Sequence, residues 1–186
     1  NKAETAAIGS ENTVAIVIDN FHPDPQALVE AASHGDSFAH YGHDFYPGTR
    51  KPLDKDYRDF LQSAVEKRIR ETYKVSGNAL FELSLCAYSL TTTRAHKLRP
   101  IQQLPHIDSH ETTTFAVVHY ICDERFGGTS FYRHRSSGFE FINHQRLTSY
   151  FAQLKSEVIN EGAKPPAYIS KSNALFEKIG EVELKF

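Results

Sequence analysis

The stretch LPHIDSHETTTFAVVHYICDERFGGTSFYRHRSSG, residues 104–138, sets four histidines around two runs of alternating side chains. Within TTTFAVVHYIC, Thr114, Ala116, Val118, Tyr120 and Cys122 fall on one face, and Phe115, Val117, His119 and Ile121 on the other. Period two with many β-branched residues predicts a strand. Gly127-Gly128 then predicts a tight turn, because glycine supplies positive φ without steric cost. GGTSFYRHR reads as the following strand, with Ser130, Tyr132 and His134 on one side.

Working towards the N-terminus, ALFELSLCAYSLTTT alternates in the same way and predicts another strand. Before it, Tyr57, Phe60, Leu61, Ala64, Val65 and Ile69 recur at helical spacing, and Arg58, Lys67 and Arg70 form a solvated face. HPDPQALVEAASHG has helix punctuation: Asp24 as N-cap, Pro25 at the first helical position, Gly35 as terminator. VAIVID (residues 14–19) predicts a short buried strand, residues 1–12 a loose tail, and GHDFYPGTRKPL a loop. Towards the C-terminus, Leu147, Tyr150, Phe151, Leu154 and Val158 predict a helix over about 147–160. GAKPP breaks it, and ALFEKIGEVELKF closes the chain as one or two strands.

This order reads as one α+β domain over residues 1–186: strand and helices over 13–75, then a strand-rich core over 76–186 interrupted by one helix. Helices packed on the outside of an antiparallel sheet or sandwich suit it. A parallel layout needs regular strand–helix alternation, which is missing.

The composition is that of an ordinary globular chain, 40% hydrophobic and 24% charged. A net charge of -2 with no block of like charge argues against non-specific nucleic-acid binding. No apolar run approaches the roughly 20 residues of a membrane span, and NKAETAAIGSENT does not read as a signal peptide. Two cysteines, Cys86 and Cys122, form no Cys-x-x-Cys pair, so a reducing, cytoplasmic setting is expected. The chain has no Met and no Trp. Roughly four Met are expected at ordinary usage, which points to residues missing from the sequence, at its ends or within it.

His106-Ile107-Asp108 is the sharpest chemical feature. At a strand end, residues i and i+2 point the same way, so one imidazole and one carboxylate converge. They supply two of the three ligands of a 2-His-1-carboxylate triad, which holds Fe(II) and leaves positions open for substrate and O2. The same donors also accept Mn or Zn. His-x-Asp taken alone equally describes a surface turn.

His106-x-Asp108, a strand ending in HYICD, and GGTSFY together resemble the prolyl-hydroxylase-type Fe(II)/2-oxoglutarate dioxygenases. YPG and FYRHRSSGFE are similar to a group of bacterial oxygenase-like proteins. The resemblance covers roughly residues 80–141. It implies a double-stranded β-helix (a jelly roll) flanked by helices, and 2-oxoglutarate-coupled hydroxylation of a small-molecule or peptide substrate. It also implies catalytic iron ligands at His106 and Asp108. Tyr120 matches the family tyrosine that bonds the distal carboxylate of 2-oxoglutarate, with Tyr132 beside it on the next strand. A core Tyr bonded to backbone is the alternative for Tyr120. Arg133 is suited to gripping a carboxylate with paired hydrogen bonds. Equally, Arg133 and Arg135 form a solvent-facing edge.

The third ligand has no clear match. The family's second histidine lies some four strands after the pair, roughly 30–40 residues on. His134 comes too soon, and His144 sits where a helix is expected. EVELKF looks like the strand before that histidine, so residues beyond Phe186 are expected to carry it and the basic anchor. The competing readings are a non-catalytic jelly-roll module for a small acid or a partner protein, and a Zn- or Mn-dependent hydrolase or isomerase.

Overall fold

The computed structural model describes residues 2–42, 44–160 and 169–183. They form two compact units, Asn1–Gln26 with Arg94–Phe186, and Ala27–Thr93. Asn1 of the expected tail, His43 of the expected loop, the GAKPP break and the last three residues of the closing strand lie outside the described residues.

The architecture is α+β. It is not the double-stranded β-helix that the resemblance implied. Among the described residues, the strands form three separate two-stranded antiparallel sheets, β1–β2, β3–β4 and β5–β6, with no closed barrel. The reason lies in the alternating segments. Residues 112–122 form no strand, and Val117 and Val118 are both exposed although alternation assigns them opposite faces. Alternation makes a strand only where a neighbouring chain takes up the backbone N–H and C=O groups. Of residues 80–92, only Ala87–Thr91 meet that condition.

In the larger unit, β1 (Ala3–Ile8) pairs with β2 (Thr13–Ile18) through a tight turn, Ile8 opposite Thr13. The residues read as a loose tail therefore contain a strand. The Glu140 carboxylate grips this turn, accepting from the backbone N–H of Ser10 (3.1 Å) and Glu11 (2.9 Å) and from the Ser10 hydroxyl (2.8 Å). After Gly127-Gly128, β5 (Thr129–His134) pairs with β6 (Phe176–Val182), with a register shift between Phe131 and Tyr132.

Helix α3 (His144–Lys155) lies between these two strands in sequence. The Asn143 side chain caps it by accepting from the Arg146 N–H at 3.1 Å. A π-helical turn, Ser156–Asn160, prolongs it. Tyr150 and Leu154 of α3 join Ile142, Leu175 and Phe176 in the core, with Leu104, Ile107, Tyr132, Phe139 and Leu147 packed around them. Each large apolar side chain enclosed there contributes on the order of 2 kcal/mol.

In the smaller unit, β3 (Gly48–Pro52) pairs with β4 (Ala87–Thr91), so the expected loop around PGTRKP contains a strand. Helix α1 (Pro25–Ser33), which begins in the larger unit, ends at a buried lysine. The Lys51 Nζ donates to the Ala31 and Ala32 carbonyls, 3.1 Å each, and to that of His34. A cation at the negative end of a helix is favourable. Helix α2 (Lys55–Tyr73) buries Tyr57, Leu61, Val65 and Ile69, the stripe read from the sequence. Asp54 caps it, accepting from the Tyr57 N–H at 2.8 Å and from the Tyr88 hydroxyl at 3.1 Å.

Candidate metal centre

His106 and Asp108 do point the same way, but that way is solvent. Their side chains are 84% and 63% exposed, with Nε2 and Oδ1 3.6 Å apart. Ile107 between them packs against the core of the larger unit. The alternation is therefore real, and the core-facing, partly buried position is the isoleucine. The pair sits in a segment without regular structure rather than at a strand end. Among the described residues it belongs to no group of three potential ligands.

Other residues assigned to 2-oxoglutarate are engaged within the protein. The Tyr120 hydroxyl is hydrogen-bonded to Thr129 Oγ1 at the start of β5. The Tyr132 hydroxyl donates to the Ile169 carbonyl at 3.2 Å. Arg133 donates from Nε to Glu140 Oε1 (2.8 Å), from one terminal nitrogen to Glu177 (2.9 Å) and from the other to the Ser10 hydroxyl (3.0 Å) and Glu140. A guanidinium so committed is not a free clamp for an incoming acid. His134 is enclosed beside Glu157 and Ser137, while His106 is turned to solvent.

The ligand-type side chains that do converge are His110, Glu111 and His144. Each offers one donor atom, and the three donors lie within 4.8 Å of one another. His110 and Glu111 lie next to each other in the chain, and Nε2 of the first is 3.3 Å from Oε1 of the second. Neighbouring residues face the same way only off a strand, and here a local turn achieves it. The Glu111 N–H donates to the Ser109 hydroxyl at 3.0 Å, and the Thr114 N–H to the Glu111 carbonyl at 3.2 Å. His144 comes from the first turn of α3, placed by the Asn143 cap. Its ring stands 5.2 Å from that of His110, tilted by 35°. Thr112, Asn143 and Gln145 complete the lining of an open cavity of about 210 Å³.

Two imidazoles and a carboxylate are a donor set that Fe(II), Mn(II) and Zn(II) all accept. Ligands each about 2.1 Å from one ion lie at most about 4.2 Å apart. A donor spacing of up to 4.8 Å closes to that value by small side-chain rotations, which exposed side chains make freely. The residues present therefore fit a single divalent ion.

Fold and site together define a small α+β protein with a 2-His-1-carboxylate cluster at a helix N-terminus. The chain belongs to a family of unknown function, DUF6445, whose family model matches residues 1–186. No curated protein and no solved structure matches it. Among the described residues, no helix is long and apolar enough to cross a membrane.

Proposed function

We propose that this protein is an Fe(II)- and 2-oxoglutarate-dependent oxygenase whose metal is held by His110, Glu111 and His144. The observation that carries the reading is the convergence of these three donors. A 2-His-1-carboxylate set occupies one side of the ion and leaves the other for a co-substrate and O2. When bound, iron supplies the oxidising chemistry.

The chain's own residues position and balance the site. The Ser109 turn fixes the two adjacent ligands, and the Asn143 cap fixes the third. At the start of α3, backbone N–H groups carry partial positive charge, which favours an acidic co-substrate beside the ion. A cavity of about 210 Å³ admits a small dicarboxylate. This placement moves the metal from His106 and Asp108 to residues a few positions further on, and keeps the chemistry implied by the sequence resemblance.

The test is anaerobic Fe(II) titration of the full chain, followed by succinate release from 2-oxoglutarate in air. His110→Ala and His144→Ala abolish binding of one iron per chain, and His106→Ala and Asp108→Ala leave it intact. If binding instead follows His106 and Asp108, the assigned centre is wrong. Iron binding without succinate release overturns the oxygenase reading and favours a module that binds a small acid or a partner protein.

A further inference from the structure

His134 ends β5 and is 1% exposed, with its ring 5.2 Å from that of Tyr150 and 5.3 Å from that of Phe176. Both ring nitrogens are nevertheless occupied. Nε2 lies 2.9 Å from Glu157 Oε2, and Nδ1 lies 2.8 Å from Ser137 Oγ. The roles follow from the partners. An ionised carboxylate only accepts, so Nε2 carries the hydrogen. Nδ1 is then an acceptor, and the Ser137 hydroxyl donates to it. Ser136 Oγ stands 3.4 Å from Nε2, on the carboxylate side.

Two local features build this chain of contacts. Glu157 is delivered by the π-helical turn Ser156–Asn160, and such turns are frequent at functional sites. Ser137 is delivered by the tight tip that follows β5, closed by the Gly138 N–H donating to the His134 carbonyl at 2.8 Å. Ser137 is half-buried, and the space beside Gly138 is open. A hydroxyl bonded to an imidazole that a carboxylate orients from its far side is the arrangement that activates a serine nucleophile. The candidate metal centre does not use it.

We propose that Ser137 is a nucleophile towards small acyl esters, with His134 as its general base and Glu157 as the positioning residue. Ser137 Oγ forms a bond to the ester carbonyl carbon as its proton passes to His134 Nδ1. The bond to the leaving alcohol then breaks, and the alcohol takes that proton. Water attacks the acyl-serine, gives a proton to Nδ1, and the acid departs as Ser137 recovers its hydrogen. The Glu157 carboxylate stabilises the imidazolium that forms in each half. Enclosure of the ring by Tyr150 and Phe176 keeps water from weakening that contact.

The experiment treats the full chain with a fluorophosphonate probe in the presence of EDTA, which separates it from any metal chemistry, and maps the adduct by peptide mass spectrometry. The expected result is an adduct on Ser137, absent in Ser137→Ala. Labelling slows at least 100-fold in His134→Gln and about tenfold in Glu157→Gln, and Glu157→Asp recovers part of the rate. Circular dichroism checks that each variant is folded. Ser137→Ala, at the tip after β5, also removes hydrolysis of p-nitrophenyl butyrate. Absence of a Ser137 adduct on the folded wild-type chain overturns the proposal, as does an unchanged labelling rate in folded Glu157→Gln.

Discussion

Arg133 Nε donates to Glu140 Oε1 across 2.8 Å, and the Glu140 side chain is only 2% exposed. Burial pushes the Glu140 carboxyl up. The Glu11 N–H, the Arg133 guanidinium and the Ser10 donors outweigh burial and hold it down to about 2, from an ordinary 4.5. Because the folded-state value is the lower one, the stabilisation is complete above about 4.5 and is lost as the pH falls towards 2. Urea midpoints measured from pH 6 to 2 should therefore drop through this window, and Glu140→Gln should flatten the drop. At neutral pH the same variant should cost about 2 kcal/mol, since it leaves Arg133 without its main partner. An equal drop in wild type and variant would assign the acid sensitivity elsewhere.

The two glycines before β5 serve different needs, so their alanine variants should differ. Gly127 has φ of +77°, and a methyl group added there would meet nothing within 4 Å, so only its backbone angle is at stake. Gly127→Ala should cost about 1–3 kcal/mol and Gly127→Asn as much, because φ of +77° with ψ of −177° is a conformation that essentially only glycine adopts. At Gly128 an added Cβ would run into the Val182 carbonyl of the paired strand. Gly128→Ala should therefore cost more than Gly127→Ala and weaken amide protection along β5 and β6 in hydrogen exchange.

Asp54 links two events that can be read separately. It caps α2 and accepts from the Tyr88 hydroxyl. Burial, and then the Asp54 charge and hydrogen bond, push the Tyr88 phenol up to about 12. Asp54→Asn should keep much of the cap while bringing Tyr88 ionisation to lower pH in an ultraviolet titration. Asp54→Ala should additionally lose about 1 kcal/mol of stability. A Tyr88 titration unmoved by both would show that burial alone sets it.

Metal uptake through two imidazoles must compete with protons. The affinity for Zn(II), used as an air-stable probe, should fall on acidification, approaching two decades per pH unit once both rings are protonated in the free protein. Affinity independent of pH would exclude His110 and His144 as ligands.

What can be read from the sequence follows from how local each signal is. Helix α1 is announced by Asp24-Pro25, α2 by its apolar stripe, and β5 by the glycines before it. Strand β1 has no such announcement, because AETAAI has no strong preference of its own and is ordered by pairing with β2. The expected double-stranded β-helix rests on the family resemblance, and the strand it needs at residues 112–122 rests on alternation, which says nothing of a partner. At the site, the i, i+2 spacing gives the common direction of His106 and Asp108. It does not say that Ile107 takes the core-facing place. His110 and Glu111 carry no signal as a pair because adjacent residues diverge on a strand, and only the Ser109 turn makes them converge. His144 looks misplaced as a ligand because it lies in a helix, yet its place directly after the Asn143 cap is what brings it to the site.

Sheets of only two strands have one further consequence. Among the described residues every strand is an edge strand, and an edge can template pairing with another molecule. β3 guards against this with Arg50, Lys51 and Pro52, and β6 with Lys178 and the register shift opposite it. β2, TVAIVI, has no charge, no proline and no bulge. It has the composition of self-associating segments, and of the six strands it is the most apolar without such a guard, so charge introduced there, as in Val17→Lys, should reduce any aggregation at high concentration.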